Sequence, residues 1–268
     1  MDWTEPAHLQ AAALCLFVCA VLGWFAPSLI ARLPEPEPKP PPEPEPDAPA
    51  LAGEADRGEE TSEPKLFART LPPPPPKEPY PDIAALPHLA VWIAAASGLV
   101  GASFGLVQGW TGALLYLVPL VPIGVVLMVI DWRTTLLPTR IIHSTYVLLA
   151  VLIPLAALVD RDLDALYRAG WGWLVVGGWF WIFWYFLNAW GFGDVRLSRV
   201  LGPALGYLGW SEMLMGLGLM VIVGGLGGAV LGIVHRSLRR RFPYGPFMLV
   251  GAVLAVLVGP WLARSLGY

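Results

Sequence analysis

Long apolar runs alternate with short polar segments along most of this chain. The runs cover residues 9–31, 84–107, 110–130, 141–159, 171–190, 196–210, 212–234 and 246–266. All but 196–210 have the roughly 17–25 residues that a helix needs to cross a bilayer. The pattern therefore predicts an all-α protein, a polytopic transmembrane helical bundle of about eight helices. The short run at 196–210 fits either a thin crossing or a re-entrant helix.

Residues 33–82 interrupt this pattern. They contain 17 of the 28 prolines, including the run from Pro72 to Pro76. Proline fixes φ and removes a backbone donor, so neither a helix nor a sheet is favoured. We predict an N-terminal transmembrane anchor helix at 1–32, a disordered, acidic, semi-rigid linker at 33–82 and a transmembrane domain at 83–268. A docking segment for a partner is the alternative interpretation of the linker.

The charge distribution supports a membrane protein. Hydrophobic residues make up 56% of the chain and charged residues 14%, against about 25% charged residues in soluble domains. The linker holds 12 of the 20 acidic and 5 of the 17 basic residues, so the rest is still poorer in charge. We expect the lipid bilayer as a partner. No basic cluster is dense enough to indicate nucleic acid.

The basic residues also predict an orientation. With the N-terminus outside, the segments that hold 14 of the 17 lysines and arginines become cytoplasmic, including the linker and Arg236, Arg239, Arg240 and Arg241. Arg161, Arg168 and Arg264 then lie outside. Cytoplasmic loops of membrane proteins carry an excess of such residues. We therefore predict that the N-terminus is outside and the linker is cytoplasmic.

The cysteines and histidines indicate no metal site. Cys15 and Cys19 are the two cysteines, and they lie one helical turn apart in the first apolar run. Packing is the simpler interpretation of this pair, and a redox pair is the alternative. The four histidines lack the spacing of metal ligands. We predict no metal and no other cofactor.

Two acidic residues stand at the ends of long apolar runs. Asp131 follows the run LVPLVPIGVVLMVI, and Asp194 closes the segment GFGD after a run rich in aromatic residues. Both lie on the cytoplasmic side in the predicted orientation. Most other acids outside the linker are predicted to be solvated charges of outer segments: Asp2, Glu5, Asp160, Asp162, Asp164 and Glu212. Acids at membrane depth are costly, so these two are functional candidates.

The two aspartates together suggest acid–base chemistry. Two carboxylates held close in a partly desolvated site do not both ionise easily, so one keeps a proton and the other is charged. Such a pair can activate water and protonate a carbonyl oxygen. Taken singly, Asp131 also fits a helix-end charge paired with Arg133 or Arg140, and Asp194 fits a helix cap after a glycine turn.

Four segments resemble the prepilin peptidases, the type IV leader peptidases. GFGDVRLSRVLG is similar to their GxGD signature, and DWRTTLLP is similar to their first aspartate segment, in which Asp131 precedes Pro138 by seven residues. FPYGPFMLVGA resembles their late Pro-aromatic-Gly-Pro-Phe segment, and GWFAPSLIARLPEP resembles the end of their first helix. The segments occur in the family's order.

The resemblance implies an aspartic endopeptidase of the bacterial plasma membrane. It would remove class III signal peptides from prepilins or pseudopilins, the precursors used in type IV pili and type II secretion. It assigns catalysis to Asp131 and Asp194, with motif support from Gly191, Gly193, Pro138, Gly245 and Pro246. Many relatives also N-methylate the new terminus and carry a four-cysteine zinc domain where this chain has its linker, so methyltransferase activity is left open.

Three arginines near the aspartates are further candidate site residues, and two other functions are alternatives to the peptidase. Arg133, Arg140 and Arg196 flank the aspartates, where they could tune a carboxyl pKa, contact the substrate or simply anchor the topology. A transporter could use Asp131 and Asp194 as ion or proton sites. A non-catalytic pilus-assembly factor could bind prepilin without cleaving it.

Overall fold

The computed structural model describes residues 5–35, 78–187, 190–234 and 242–265, without the side chains of 263 and 264. Every regular element in these ranges is a helix, which confirms the all-α prediction. The helices are α1 (Pro6–Trp24), α2 (Ala26–Ala31), α3 (Tyr80–Ala84), α4 (Leu89–Gln108), α5 (Leu114–Thr134), α6 (Thr139–Asp160), α7 (Leu163–Leu187), α8 (Phe192–Leu208), α9 (Trp210–Val234) and α10 (Gly245–Ser265).

Most of the predicted linker lies outside the described residues, as do Asp2, Arg236, Arg239, Arg240, Arg241 and the side chain of Arg264. The described end of the linker contains a helix that the proline content did not predict. This helix, α3, buries Tyr80 and Ile83 and packs against α2. Pro79 and Pro81 are tolerated because they stand just before the helix and in its first turn, where the N–H groups have no helical partner.

Each predicted apolar run contains a long helix, with shifts at some ends. The first run is divided at Phe25 into α1 and α2, and Pro27 stands in the first turn of α2. Helix α7 begins at Leu163, eight residues before the predicted start. It begins there because the Asp162 carboxylate accepts a hydrogen bond of 3.0 Å from the Ala165 N–H, as a helix-capping residue does.

In the part of the chain that the structure describes, six helical spans are long and apolar enough to cross a membrane. They are Pro6–Ala31, Leu89–Gln108, Leu114–Thr134, Thr139–Asp160, Trp210–Val234 and Gly245–Leu262. The chain is therefore a multi-pass membrane protein. Helices α7 and α8 are not among the six, and α8 has 17 residues, about 25 Å at 1.5 Å per residue.

Three close pairs of helices build the bundle: α1 with α4, α7 with α8, and α9 with α10. The α7–α8 pair depends on two facing glycines, Gly172 and Gly202. A Cβ on either one would overlap the backbone carbonyl of the other. Small residues let helices approach closely in membranes. Helix α5 contacts α1, α4, α6 and α10 and so connects the pairs.

The bundle has two distinct ends. At one, Asp131 of α5 meets Gly245 of α10; we call it the aspartate end. At the other, the Tyr207 hydroxyl of α8 donates a 2.7 Å hydrogen bond to Asp160 of α6; we call it the far end. Helix α8 begins beside Asp194 and ends beside Tyr207, so it runs from one end to the other.

Candidate active site

Asp131 lies in the last turn of α5 and is buried, with 4% of its surface exposed. Its Oδ2 accepts a hydrogen bond of 2.9 Å from the backbone N–H of Gly245. Helix α5 ends just beyond it because Thr135 has a left-handed conformation, with φ at 52°. Asp131 is thus part of a rigid helix, and a backbone donor from α10 orients its carboxyl.

Asp194 lies in the first turn of α8 and is 7% exposed. Its Oδ2 accepts a hydrogen bond of 3.0 Å from the N–H of Gly191, and its own N–H donates to the Gly191 carbonyl. This exchange satisfies a donor at the helix start, where a negative charge is also favoured by the helix dipole. Gly191 has extended backbone angles and directly precedes α8, whereas Gly193 is already helical.

One apolar side chain packs against residues next to both aspartates. Leu137, in the loop from α5 to α6, lies against both Gly193 and Gly245. A Cβ on Gly193 would stand 3.2 Å from Leu137 Cβ, and one on Gly245 would stand 3.5 Å from Leu137 Cδ2. The loop between α5 and α6 thus joins the two halves of the site.

Each aspartate keeps one carboxyl oxygen free of hydrogen bonds to the residues that the structure describes. Oδ2 is engaged in both, by Gly245 for Asp131 and by Gly191 for Asp194. The contacts fix the direction of each carboxyl and leave its Oδ1 for another partner. Such an arrangement suits proton exchange with water or with a substrate carbonyl.

The remaining motif residues position these elements. Pro138 immediately precedes α6 and has extended backbone angles, which ends the loop that carries Leu137. Gly245 is the first residue of α10, and Pro246 follows it in the first turn, where proline is well tolerated. A Cβ on Gly245 would stand 2.7 Å from Asp131 Oδ2, so a side chain there would require the Asp131 carboxyl to move.

Aromatic side chains pack beside Asp194. The ring of Tyr244 lies 5.4 Å from that of Trp190 and 6.2 Å from that of Phe180. Its hydroxyl donates to the Met220 carbonyl at 3.0 Å, and its phenol interacts electrostatically with Asp194. The sequence analysis did not single out Trp190, and it included Tyr244 only as the aromatic residue of the late motif. The sequence could have indicated them by position, because Trp190 directly precedes GFGD and Tyr244 directly precedes Gly245.

The three flanking arginines lie away from both carboxyls. Arg133 forms an ion pair with Glu78 at 3.5 Å. The Arg196 guanidinium donates to Thr139 Oγ1 at 2.6 Å and stacks over the ring of Phe192 at 4.6 Å. Arg140 is exposed. Among the described residues, no hydrogen bond or ion pair joins an arginine to either aspartate.

The far end contains both exposed and buried acidic residues. Asp162 and Asp164 are partly or fully exposed. The Ala165 N–H and the Arg168 guanidinium hold the pKa of Asp162 below its usual value. The prediction that Glu212 is also solvated is wrong, because it is 6% exposed. It lies in the first turn of α9 and packs where Gly259 of α10 has no side chain.

Two observations bear on the cysteines and metals. Cys15 and Cys19 are buried free thiols, and Cys19 Sγ lies 3.4 Å from the Val118 carbonyl, which fits the packing interpretation. No group of three or more histidines, cysteines or acids within the described ranges could hold a metal ion.

Part of the chain is similar to a protein of Pseudomonas aeruginosa named prepilin leader peptidase/N-methyltransferase. The two are 30% identical over 109 residues, which make up 38% of this chain and 35% of that relative. The match therefore spans about a third of the relative's length. No protein-family model matches the chain. No solved structure matches it. The similarity supports the resemblance that the four sequence segments indicate.

Proposed function

We propose that this protein is an aspartic endopeptidase of the bacterial plasma membrane that removes the leader peptide from prepilin-like precursors. Asp131 and Asp194 carry the reaction, and residues 83–268 form the peptidase part. The name of the Pseudomonas aeruginosa relative supports a leader peptidase, and the apolar helices support a membrane location.

One observation carries this proposal. Two buried carboxyls, from different helices, lie at the aspartate end of the bundle, and a backbone N–H orients each of them. Buried acids in a membrane protein are costly and indicate function. Leu137 lies against both Gly193 and Gly245, which supports one shared site, and two carboxyls held in one site can share a proton.

The reaction needs only these two groups and water. The ionised carboxylate takes a proton from water as the oxygen attacks the scissile carbonyl, while the protonated carboxyl donates to the carbonyl oxygen. The resulting tetrahedral intermediate collapses when the C–N bond breaks. As that bond breaks, the amine nitrogen takes up the proton that the first carboxylate received. One hydroxyl of the intermediate returns its proton to the second carboxylate, which re-forms the C=O bond and restores the pair. The shared proton belongs to the pair rather than to one residue.

We propose that this reaction takes place at the cytoplasmic face of the membrane. The arginines near the aspartate end that the structure describes include Arg133, Arg140 and Arg196, and basic residues favour the cytoplasmic side. We propose that the N-terminus is outside and the linker is cytoplasmic. Substrates are then cut where their leader meets the membrane.

A purely structural role is the competing explanation, because each carboxyl also fixes a helix end. Asparagine separates the two roles. Its side-chain oxygen can still accept the Gly245 or Gly191 hydrogen bond, but it cannot exchange a proton at neutral pH. Under the proposal, Asp131→Asn and Asp194→Asn each retain the fold and lose the activity.

The test is co-expression with a host prepilin, followed by mass spectrometry of the pilin N-terminus. We expect the wild-type protein to produce the mature terminus and each asparagine variant to leave the precursor intact. Asp164→Asn, an exposed acid of the far end, is the matched control and should cleave normally. Full cleavage by either active-site variant would overturn the assignment, and wild-type binding without cleavage would indicate an assembly factor. The same spectra report any N-methyl group.

A further inference from the structure

An apolar cavity lies inside the bundle between α4, α5, α8 and α10 and has a volume of about 90 Å³. All its lining side chains are apolar, apart from the bare backbone of Gly124. A cavity of about 150 Å³ with such a lining stays dry and holds benzene. The present volume therefore suits a few aliphatic groups and is too small for a helix.

The residues of α5 that line the cavity lie on the same face of that helix as Asp131. Met128, Gly124 and Leu117 line the cavity and precede Asp131 by three, seven and fourteen residues. Residues at such spacings share one face of a helix. At 1.5 Å per residue, the cavity extends from about 5 Å to about 21 Å along α5 from Asp131.

On α8 and α10, too, the residues that line the cavity lie on the helix face that carries the active-site residue. On α8, Leu201 and Leu205 line the cavity and follow Asp194 by seven and eleven residues. On α10, Leu249 and Val253 do so, and they follow Gly245 by four and eight residues. The three faces that form the candidate active site therefore continue toward the far end as the walls of one cavity.

The cavity is open on one side. Lining residues of three helices, Val100 of α4, Val125 of α5 and Val253 of α10, are only half-buried, so the cavity reaches the surface of the bundle. Gly124 faces Leu249 across it, and a Cβ on Gly124 would stand 3.3 Å from Leu249 Cδ2. A side chain at position 124 would therefore enter the space beside Leu249.

We propose that this cavity receives aliphatic side chains of the substrate, from an apolar transmembrane segment that directly follows the scissile bond. The inference rests on the proposed function. A helix lying along the opening, with its cut end at the aspartates, would face the cavity with residues about 3 to 14 after the cut, at 1.5 Å per residue. The cavity would then hold the precursor in register with Asp131 and Asp194.

The shared faces are the reason to assign the cavity to the substrate rather than to a lipid chain. A lipid site could lie between any two apolar helices and needs no alignment with the aspartates. Here the three walls belong to the same three faces as Asp131, Asp194 and Gly245. A lipid occupant is the contrary outcome of the test.

The first experiment fills the cavity from opposite walls. Val253→Phe and Gly124→Leu each place added volume in it, and cleavage of the full precursor is measured in membranes as kcat and KM. Val250→Phe is the matched control, because Val250 lies on the same helix and is 41% exposed. We expect each filling variant to raise KM at least tenfold, and the control to match the wild-type protein.

The second experiment detects contact directly. A photoreactive benzoylphenylalanine replaces Val253 or, as the control, Val250, and cross-linking to co-expressed prepilin is measured in membranes. We expect a cross-link from position 253 and none from position 250. This binding assay would be positive even if the wild-type protein cleaved nothing, so a failure of the proposed peptidase activity is recognised separately.

Three results would overturn the cavity assignment. They are normal cleavage by both filling variants, equal losses in the filling and control variants, and cross-links of equal yield from positions 253 and 250. If either filling variant fails to fold, the other variant and the cross-linking comparison still decide the matter.

Discussion

The backbone N–H of Gly245 donates a hydrogen bond of 2.9 Å to the carboxyl of Asp131, across a separation of 114 residues in the chain. The contact joins the last turn of α5 to the first residue of α10. A side chain at position 245 would require the carboxyl to shift, since a Cβ there would stand 2.7 Å from Asp131 Oδ2. The direction of the Asp131 carboxyl therefore depends on how α10 begins.

This relationship predicts the effect of adding one methyl group. We expect Gly245→Ala to displace the Asp131 carboxyl and to lower the rate of prepilin cleavage by tenfold to a hundredfold, because small misplacements in an active site are costly. Gly225→Ala is the control, since a methyl group there meets nothing within 4 Å. Cleavage is measured by the yield of mature pilin over time. A normal rate in Gly245→Ala would mean that this hydrogen bond does not orient a reacting group.

A second prediction concerns Gly193 and Leu137. A Cβ at position 193 would stand 3.2 Å from Leu137 Cβ, so Gly193→Val should push the start of α8 away from the loop between α5 and α6. We expect a loss of cleavage that Leu137→Ala, added to the same chain, partly restores. Leu137→Ala alone should reduce cleavage less than Gly193→Val does.

The double variant tests the packing explanation directly. Residues in contact show interaction free energies of about 0.5–3 kcal/mol in double-mutant cycles. If the Gly193→Val loss is unchanged when Leu137 is shortened, the two residues are not coupled and Gly193 has another role.

The sequence singled out Asp131 and Asp194 for a physical reason. A carboxylate at the end of an apolar run is conspicuous because burial of a charge is costly, and Asp131 and Asp194 are both buried. Their local helix ends could also be anticipated, since Gly191 and Pro138 are typical of helix starts. The fold class followed from the same apolar runs.

The contacts between distant segments could not be predicted in this way. Leu137 and Tyr244 are ordinary apolar or aromatic positions in the sequence, and only the packing of helices brings them to the aspartates. Glu212 was misjudged because it follows a short break between apolar runs. In the structure the break is confined to Gly209, so Glu212 is already in the first turn of α9 and buried.

A third prediction addresses the arginine beside Asp131. Arg133 pairs with Glu78, and both side chains are about one-third to two-fifths exposed. Ion pairs at this exposure contribute about 0–1 kcal/mol. We therefore expect Arg133→Gln and Glu78→Gln each to retain normal cleavage and to change the melting temperature little.

The outcome separates two roles for this arginine. A residue that contacts the substrate would raise KM when it is neutralised, and Glu78→Gln would not reproduce that change because it leaves the arginine charged. If Arg133→Gln alone raises KM, Arg133 contacts the substrate. If Arg133→Gln and Glu78→Gln change KM equally and only slightly, the ion pair with Glu78 is the main contact of Arg133.

The last prediction concerns the α7–α8 pair, which holds α8 and hence Asp194 in place. A Cβ on Gly172 would overlap the Gly202 carbonyl, whereas one on Gly178, also in α7, meets nothing within 4 Å. Overpacking a close interface costs about 1–3 kcal/mol or more, so Gly172→Leu should lower the melting temperature in detergent by several degrees. Gly178→Leu should leave it nearly unchanged, because the added side chain begins in open space and substitutions that disturb no packed contact usually stay within about 0.5 kcal/mol. Equal melting temperatures for the two variants would show that the close backbone contact between α7 and α8 does not limit the stability of the bundle.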